Sequence, residues 1–165
     1  MATQKELDAC YMTVAEAHAN LSKGIRSKVG ACLVTKHGVV LGGCNGLAPN
    51  ASNELEVKEY SNAMNFGGEF PLEDRHGKYR LVTKPQTIHA ELSCILKAAR
   101  EGVSVVGSTL YVTLSCCIVC SEMIAAAGVS KVVYKDEYRD CSGIENLLQL
   151  GIEVYKYEET LTNSD

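Results

Sequence analysis

Apolar positions recur at helical spacing over residues 5–22, where Leu7, Tyr11, Val14, His18 and Leu21 fall on one face and charge on the other. That spacing predicts an amphipathic helix. VGACLVT (29–35) and VVLGGC (39–44), joined by Lys36-His37-Gly38, predict an antiparallel β-hairpin. Residues 45–86 then lose all period, punctuated by Asn45-Gly46, Pro49, Gly67-Gly68, Pro71, Gly77 and Pro85. They read as a long irregular loop whose middle, Glu54–Met64, has the composition of a short helix. So long a connection inside a compact domain is generally functional.

After Pro85 helices and strands alternate. AELSCILKAAREG predicts a helix over 90–101 stopping at Gly102, and TLYVT (109–113) a strand. CIVCSEMIAAAG predicts a helix ending at Gly128, KVVYK (131–135) a strand, SGIENLLQLG (142–151) a helix and IEVYKY (152–157) a last strand. Such alternation calls for right-handed crossovers and parallel pairing. The expected fold is therefore α/β: a three-layer α-β-α domain spanning 1–165. Its five-stranded mixed sheet runs from an antiparallel hairpin into parallel strands, with helices on both faces. The tail TLTNSD (160–165) is expected to fray.

Composition narrows the function. A hydrophobic fraction of 46% and a charged fraction of 22% suit one globular domain and not a disordered chain. Sixteen Lys and Arg against twenty Asp and Glu give a net charge of −4, which disfavours a protein that grips nucleic acid through its phosphates. No apolar run approaches the roughly 20 residues that span a bilayer. Charges interrupt the N-terminus, unlike a signal peptide. The expectation is a soluble cytoplasmic protein with neither a nucleic-acid nor a membrane partner.

Of eight cysteines, Cys10, Cys32, Cys44, Cys94 and Cys141 stand singly, as small buried hydrophobes commonly do. Cys116, Cys117 and Cys120 crowd into SCCIVC, and in a reducing compartment a local Cys-x-x-Cys means metal ligation or redox chemistry. A second segment, Ile88-His89-Ala90-Glu91, also opens a predicted helix. Cys117 and Cys120, three apart, point to one side of a helix turn whose dipole favours thiolates. His89 can add a third ligand, leaving the fourth position of a tetrahedral Zn²⁺ to water. Glu91, two residues away, is then free to take the water's proton and pass it to a ring nitrogen and a leaving amine.

His-x-Glu followed by Pro-Cys-x-x-Cys is the signature of the zinc-dependent nucleobase deaminases. The chain resembles that superfamily and, within it, the deoxycytidylate (dCMP) deaminases of the bacteriophage type. The likeness runs through SKVGACLV, GGCNG, IHAELSCILKAAREG, LYVTLSCCIVCSEMIAAAGVSKVVY and LLQLGIEVYKY. It implies a cytidine deaminase-like fold and hydrolysis of dCMP to dUMP and ammonia, which feeds thymidylate synthesis. By match, it implies one zinc per chain on His89, Cys117 and Cys120, with Glu91 as the proton shuttle. Asn45 would bond the sugar, Arg26, Ser27, Lys28 and Tyr138 would lie near the phosphate, and Ala90 and Thr113, Leu114 and Ser115 would line the base pocket. Family members are often homohexamers, activated by dCTP and inhibited by dTTP with Mg²⁺. The Gly43, Cys44, Asn45, Gly46 turn and the 50–80 loop are where such effectors would bind.

Three departures from the family pattern matter. Cys116 replaces the family proline and adds a thiol beside the metal. Cys44 replaces a tyrosine in the glycine-rich turn, which bears on effector recognition. Gly24-Ile25 stands where some phage members carry paired cysteines for a structural zinc. Other readings of the same residues are a non-catalytic structural zinc module, a thioredoxin-like redox pair, or a deaminase of dCTP or free cytidine. The redox pair leaves His89 and Glu91 unexplained, and a closed structural site leaves Glu91 without a role.

Overall fold

The computed structural model describes residues 1–65 and 67–158; the tail expected to fray, 160–165, lies outside them. Its elements in chain order are α1 (Gln4–Ala19), β1 (Gly30–Val34), β2 (Val40–Cys44), β3 (Glu56–Tyr60), β4 (Leu72–Asp74) and β5 (Gly77–Thr83). There follow α2 (Ala90–Arg100), β6 (Thr109–Leu114), α3 (Ile118–Ala126), β7 (Lys131–Asp136), α4 (Ser142–Gln149) and β8 (Glu153–Lys156). The main sheet has the order β2-β1-β6-β7-β8. β1 pairs antiparallel with β2 and β6, and β6, β7 and β8 run parallel. This is the mixed five-stranded sheet the periodicity predicts.

Alternation along the strands sorts the sheet into two faces. Cys32, Tyr111 and Val133 point towards α1 and pack with Met12 and Ala15. Ala31, Leu33, Leu110, Val112 and Val132 point the other way, into a larger core with Ala90, Cys94 and Ala98 of α2, Ile124 of α3 and Leu147 of α4. Burying each of the larger aliphatic side chains contributes roughly 1.5–3 kcal/mol. One helix on one face and three on the other make the three layers.

α1 begins with a capping box: the Thr3 side chain accepts from the Glu6 amide and the Glu6 carboxylate accepts from the Thr3 amide. The helix ends at Ala19, short of the expected residue 22, and Leu21 lies beyond it, 61% exposed. The buried stripe centres on Met12 and Ala15, one position off the predicted face. α2 and α3 end where expected, each followed within two residues by a glycine at positive φ, Gly102 at 67° and Gly128 at 84°.

Residues 45–86 are a correction. They are not an irregular loop and hold no helix over 54–64; they fold into a three-stranded antiparallel sheet, β3-β5-β4. Its cross-strand pairs explain it: Glu59 meets Arg80 at 2.5 Å, and Lys58 and Tyr60 both reach Asp74, at 2.5 and 2.9 Å. Leu55 anchors it, 2% exposed, its carbonyl accepting from the Lys84 amide at 2.8 Å.

Candidate metal centre and cavity

The two motifs meet because two helices start side by side. His89 is the N-cap of α2 (φ −71°, ψ 158°) and Cys117 the N-cap of α3 (φ −76°, ψ 169°). Neither side chain caps its own helix, so both are free to point elsewhere. Cys120 sits one turn into α3. Nδ1 of His89 lies 3.7 Å from Sγ of Cys117 and 3.3 Å from Sγ of Cys120. All three ligand atoms fall within 4.8 Å of one another, and no fourth His, Cys or carboxylate joins them among the described residues. One imidazole and two sulfurs are the donors zinc prefers, not those of Mg²⁺ or Ca²⁺.

Local packing fixes this convergence. Gly46 and Ile88 exchange backbone hydrogen bonds of 3.0 and 2.7 Å, an isolated bridge that pins the residue before His89 to the end of the hairpin. A Cβ on Gly143, in the first turn of α4, would lie 2.0 Å from the Cys116 carbonyl oxygen, so α4 presses directly on the Cys116-Cys117 backbone. Cys116 itself turns into the core, 2% exposed, where burial pushes its thiol up to about 12. It is not part of the donor cluster.

In this cluster the Cys117 sulfur is held down to about 3, first by the hydrogen bond from Cys120 and then by His89. The Cys120 thiol is raised by that same bond and by burial. The hydrogen bond to Cys117 raises His89 in turn. The site thus stores protons that a cation would displace. Glu91 is 4% exposed, and burial pushes its carboxyl up to about 7.

Glu91 borders a cavity of about 330 Å³. It is lined by His89, Ala90, Glu91, Leu114, Ser115 and Cys117 around the donor cluster, and by Arg26, Ser27, Asn45, Tyr138 and Arg139. Of the residues expected near substrate, Lys28 and Thr113 stay outside. Both border an adjoining depression beside α1, which shares Ser27 and Leu114 with the cavity. Thr113 alternates with Leu114 across the sheet, and its hydroxyl accepts from the Gly30 amide at 3.0 Å. Asn45 reaches the cavity while bracing its wall, accepting from the Val29 amide at 2.9 Å and donating to the Ser27 carbonyl at 3.0 Å.

The proposed effector turn is engaged in packing. A Cβ on Gly43 would sit 2.8 Å from the Ala90 carbonyl oxygen and 2.9 Å from Sγ of Cys94, so this glycine lets α2 approach β2 closely. Lining residues the sequence reading missed are Val29, Thr83, Thr87 and Arg139. Arg139 follows Tyr138 directly and lies 5.7 Å from its ring, so the cation beside the expected tyrosine was the available signal. Oγ1 of Thr87 is buried without a hydrogen-bond partner among the described residues, a polar contact that a ligand can complete. No helix of the described residues is long and apolar enough to cross a membrane.

The family described as cytidine and deoxycytidylate deaminase zinc-binding region matches residues 5–136. A probable deoxycytidylate deaminase of Drosophila melanogaster is 35% identical over 136 residues, 81% of this chain and 61% of the fly protein. The deoxycytidylate deaminase of Mycobacterium phage D29 is 33% identical over 136 residues, 82% of this chain and 98% of the phage protein. This chain therefore spans about three fifths of the fly relative and nearly all of the phage one. The crystal structure of the dCMP deaminase from cyanophage S-TIM5, in complex with dCMP and dUMP, superposes with a TM-score of 0.76 at 36% identity, covering 94% of this chain and 99% of that one.

Proposed function

Because the chain belongs to the cytidine and deoxycytidylate deaminase family, we propose that it converts dCMP and water to dUMP and ammonia. The observation that carries this reading is a buried carboxylate, Glu91, in a cavity wall beside a three-donor cluster that no fourth His, Cys or carboxylate joins among the described residues. A closed structural zinc site would use four protein ligands.

In this reading His89, Cys117 and Cys120 hold zinc, which supplies the Lewis acidity that makes water a nucleophile near neutral pH. Glu91 accepts a proton from the attacking water and delivers it to the ring nitrogen next to the reacting carbon. It then takes the remaining proton of the added hydroxyl and passes it to the amine, which leaves as ammonia as the carbonyl forms. Its buried position suits a group that must both take and give a proton near pH 7. Ala90, Leu114 and Ser115 line the base end of the cavity. Asn45 faces the sugar, and Arg26, Ser27, Tyr138 and Arg139 face the phosphate. Two arginines, Arg26 and Arg139, in the cavity lining suit a mononucleotide, while the chain's net charge of −4 gives no footprint for a nucleic-acid backbone.

Ammonia release from cytosine, deoxycytidine, cytidine, CMP, dCMP and dCTP, with zinc measured on the same sample, tests the assignment. The expected result is one zinc per chain and highest kcat/KM for dCMP. One zinc without ammonia from any substrate would make this a non-catalytic zinc module. The reading extends to dUMP supply for thymidylate synthesis, to the cytoplasm (the host's, if the chain is viral), and to a homohexamer that dCTP activates and dTTP with Mg²⁺ inhibits. Substrate titrations with each triphosphate, and the mass in solution, test the regulation; superimposable curves end it.

A further inference from the structure

Residues 22–29 link α1 to β1 and carry Arg26 and Ser27 to the cavity. They form no helix or strand, yet they are tied down repeatedly. Ser22 Oγ donates to the Asn45 carbonyl at 3.0 Å and accepts from the Gly24 amide at 3.2 Å. Asn45 grips Ser27 and Val29. The remaining ties come from the inserted sheet. Oε1 of Glu56 accepts from two consecutive amides, Ile25 at 3.0 Å and Arg26 at 3.2 Å, and Nη1 of Arg26 donates to Oγ1 of Thr83 at 3.4 Å. Glu56 and Thr83 are cross-strand partners of β3 and β5, so one end of that small sheet holds both the backbone and the side chain of Arg26.

The carboxylate does not touch the substrate space: neither Glu56 nor Ile25 lines the cavity, and Ile25 is 75% exposed. Glu56 therefore holds the turn from behind. A negative charge near a phosphate site opposes anion binding by itself, so its placement makes sense through the geometry it imposes. One carboxylate oxygen taking two backbone N–H groups is a charge-assisted pair of bonds, strong enough to order an exposed turn. We infer that Glu56 is a positioning residue that holds the Ile25-Arg26 turn so that the Arg26 guanidinium is pre-set for the phosphate of the substrate. The inserted sheet is then the part of the chain that sets preference for a nucleotide over a nucleoside. This rests on the reading that Arg26 faces that phosphate.

The test compares Glu56→Ala, Glu56→Gln and Arg26→Ala with the unaltered protein, each zinc-loaded, on dCMP and on deoxycytidine, with dUMP binding measured by calorimetry. Loss of preorganisation in Glu56→Ala is expected to raise KM for dCMP and Kd for dUMP about tenfold, with kcat within about twofold. Turnover of deoxycytidine, which has no phosphate, should not change. Glu56→Gln keeps an amide oxygen for the same two N–H groups and should stay within about threefold of the unaltered protein. Arg26→Ala should lose the preference for dCMP. If Glu56→Ala keeps its KM and Kd while the unaltered protein prefers dCMP over deoxycytidine, the positioning role falls and the phosphate reading stands. A lower KM would mean that the carboxylate competes with phosphate for those amides, and equal losses on both substrates would mean general damage; either overturns the role. An unaltered protein with no preference for dCMP overturns the phosphate reading and this inference with it.

Discussion

His89 and Glu91, two residues apart, occupy the exposed N-cap of α2 and its buried first turn. In the proposed reaction, Glu91→Gln keeps shape and removes the proton acceptor. It should lower kcat by on the order of 10²–10⁴-fold with zinc content and melting temperature unchanged; full activity would remove Glu91 from the mechanism. Cys116 makes the opposite case. Its thiol points into the core, so Cys116→Ala should retain one zinc per chain while Cys120→Ala loses it, read by metal analysis after dialysis. At this scale the convergence of His89, Cys117 and Cys120 was legible, because spacing along a helix fixes which side chains share a face. Which depression Thr113 borders was not, because neighbours in a strand point opposite ways and matching a motif by position does not say which way.

At the scale of elements, α4 buttresses the metal centre through Gly143. Placing a methyl there forces apart α4 and the Cys116-Cys117 backbone, so Gly143→Ala should cost about 1–3 kcal/mol and weaken zinc retention, both measurable by thermal melts and chelator competition. The hairpin, the parallel strands and the helices over 90–151 were readable locally, because each of these helices turns an apolar face to a core and the central strands are short apolar runs buried on both faces. β3, β4 and β5 were not, since apart from a single anchor at Leu55 the sheet is held by pairs such as Glu59–Arg80, whose partners are far apart in sequence. EVKEY is also rich in good helix formers, so local propensity pointed the wrong way. The sheet has a pH signature of its own. The hydrogen bond from Lys58, aided by the His76 amide, holds Asp74 down to about 2 from 3.8. That support is intact above the ordinary aspartate range and is lost as pH falls through about 2. Protection of amides in β3 and β4, relative to their intrinsic exchange rates at each pH, should therefore fall on acidification before protection in β6 and β7 does.

For the molecule as a whole, the donor cluster links metal to protons and to folding. The cluster carries protons that zinc must displace, so loading in weak buffer should acidify the solution and apparent affinity should rise with pH. Because the cluster exists only when α2 and α3 are docked, chelation should lower the melting temperature and added zinc restore it. All three donors fall within residues 89–120, on the single α2-β6-α3 crossover. An ion can thus staple a loop of about thirty residues, a modest closure entropy, before the N-terminal hairpin arrives. Zinc present during refolding should then speed the earliest phase, whereas zinc added to the finished apoprotein can only report on it.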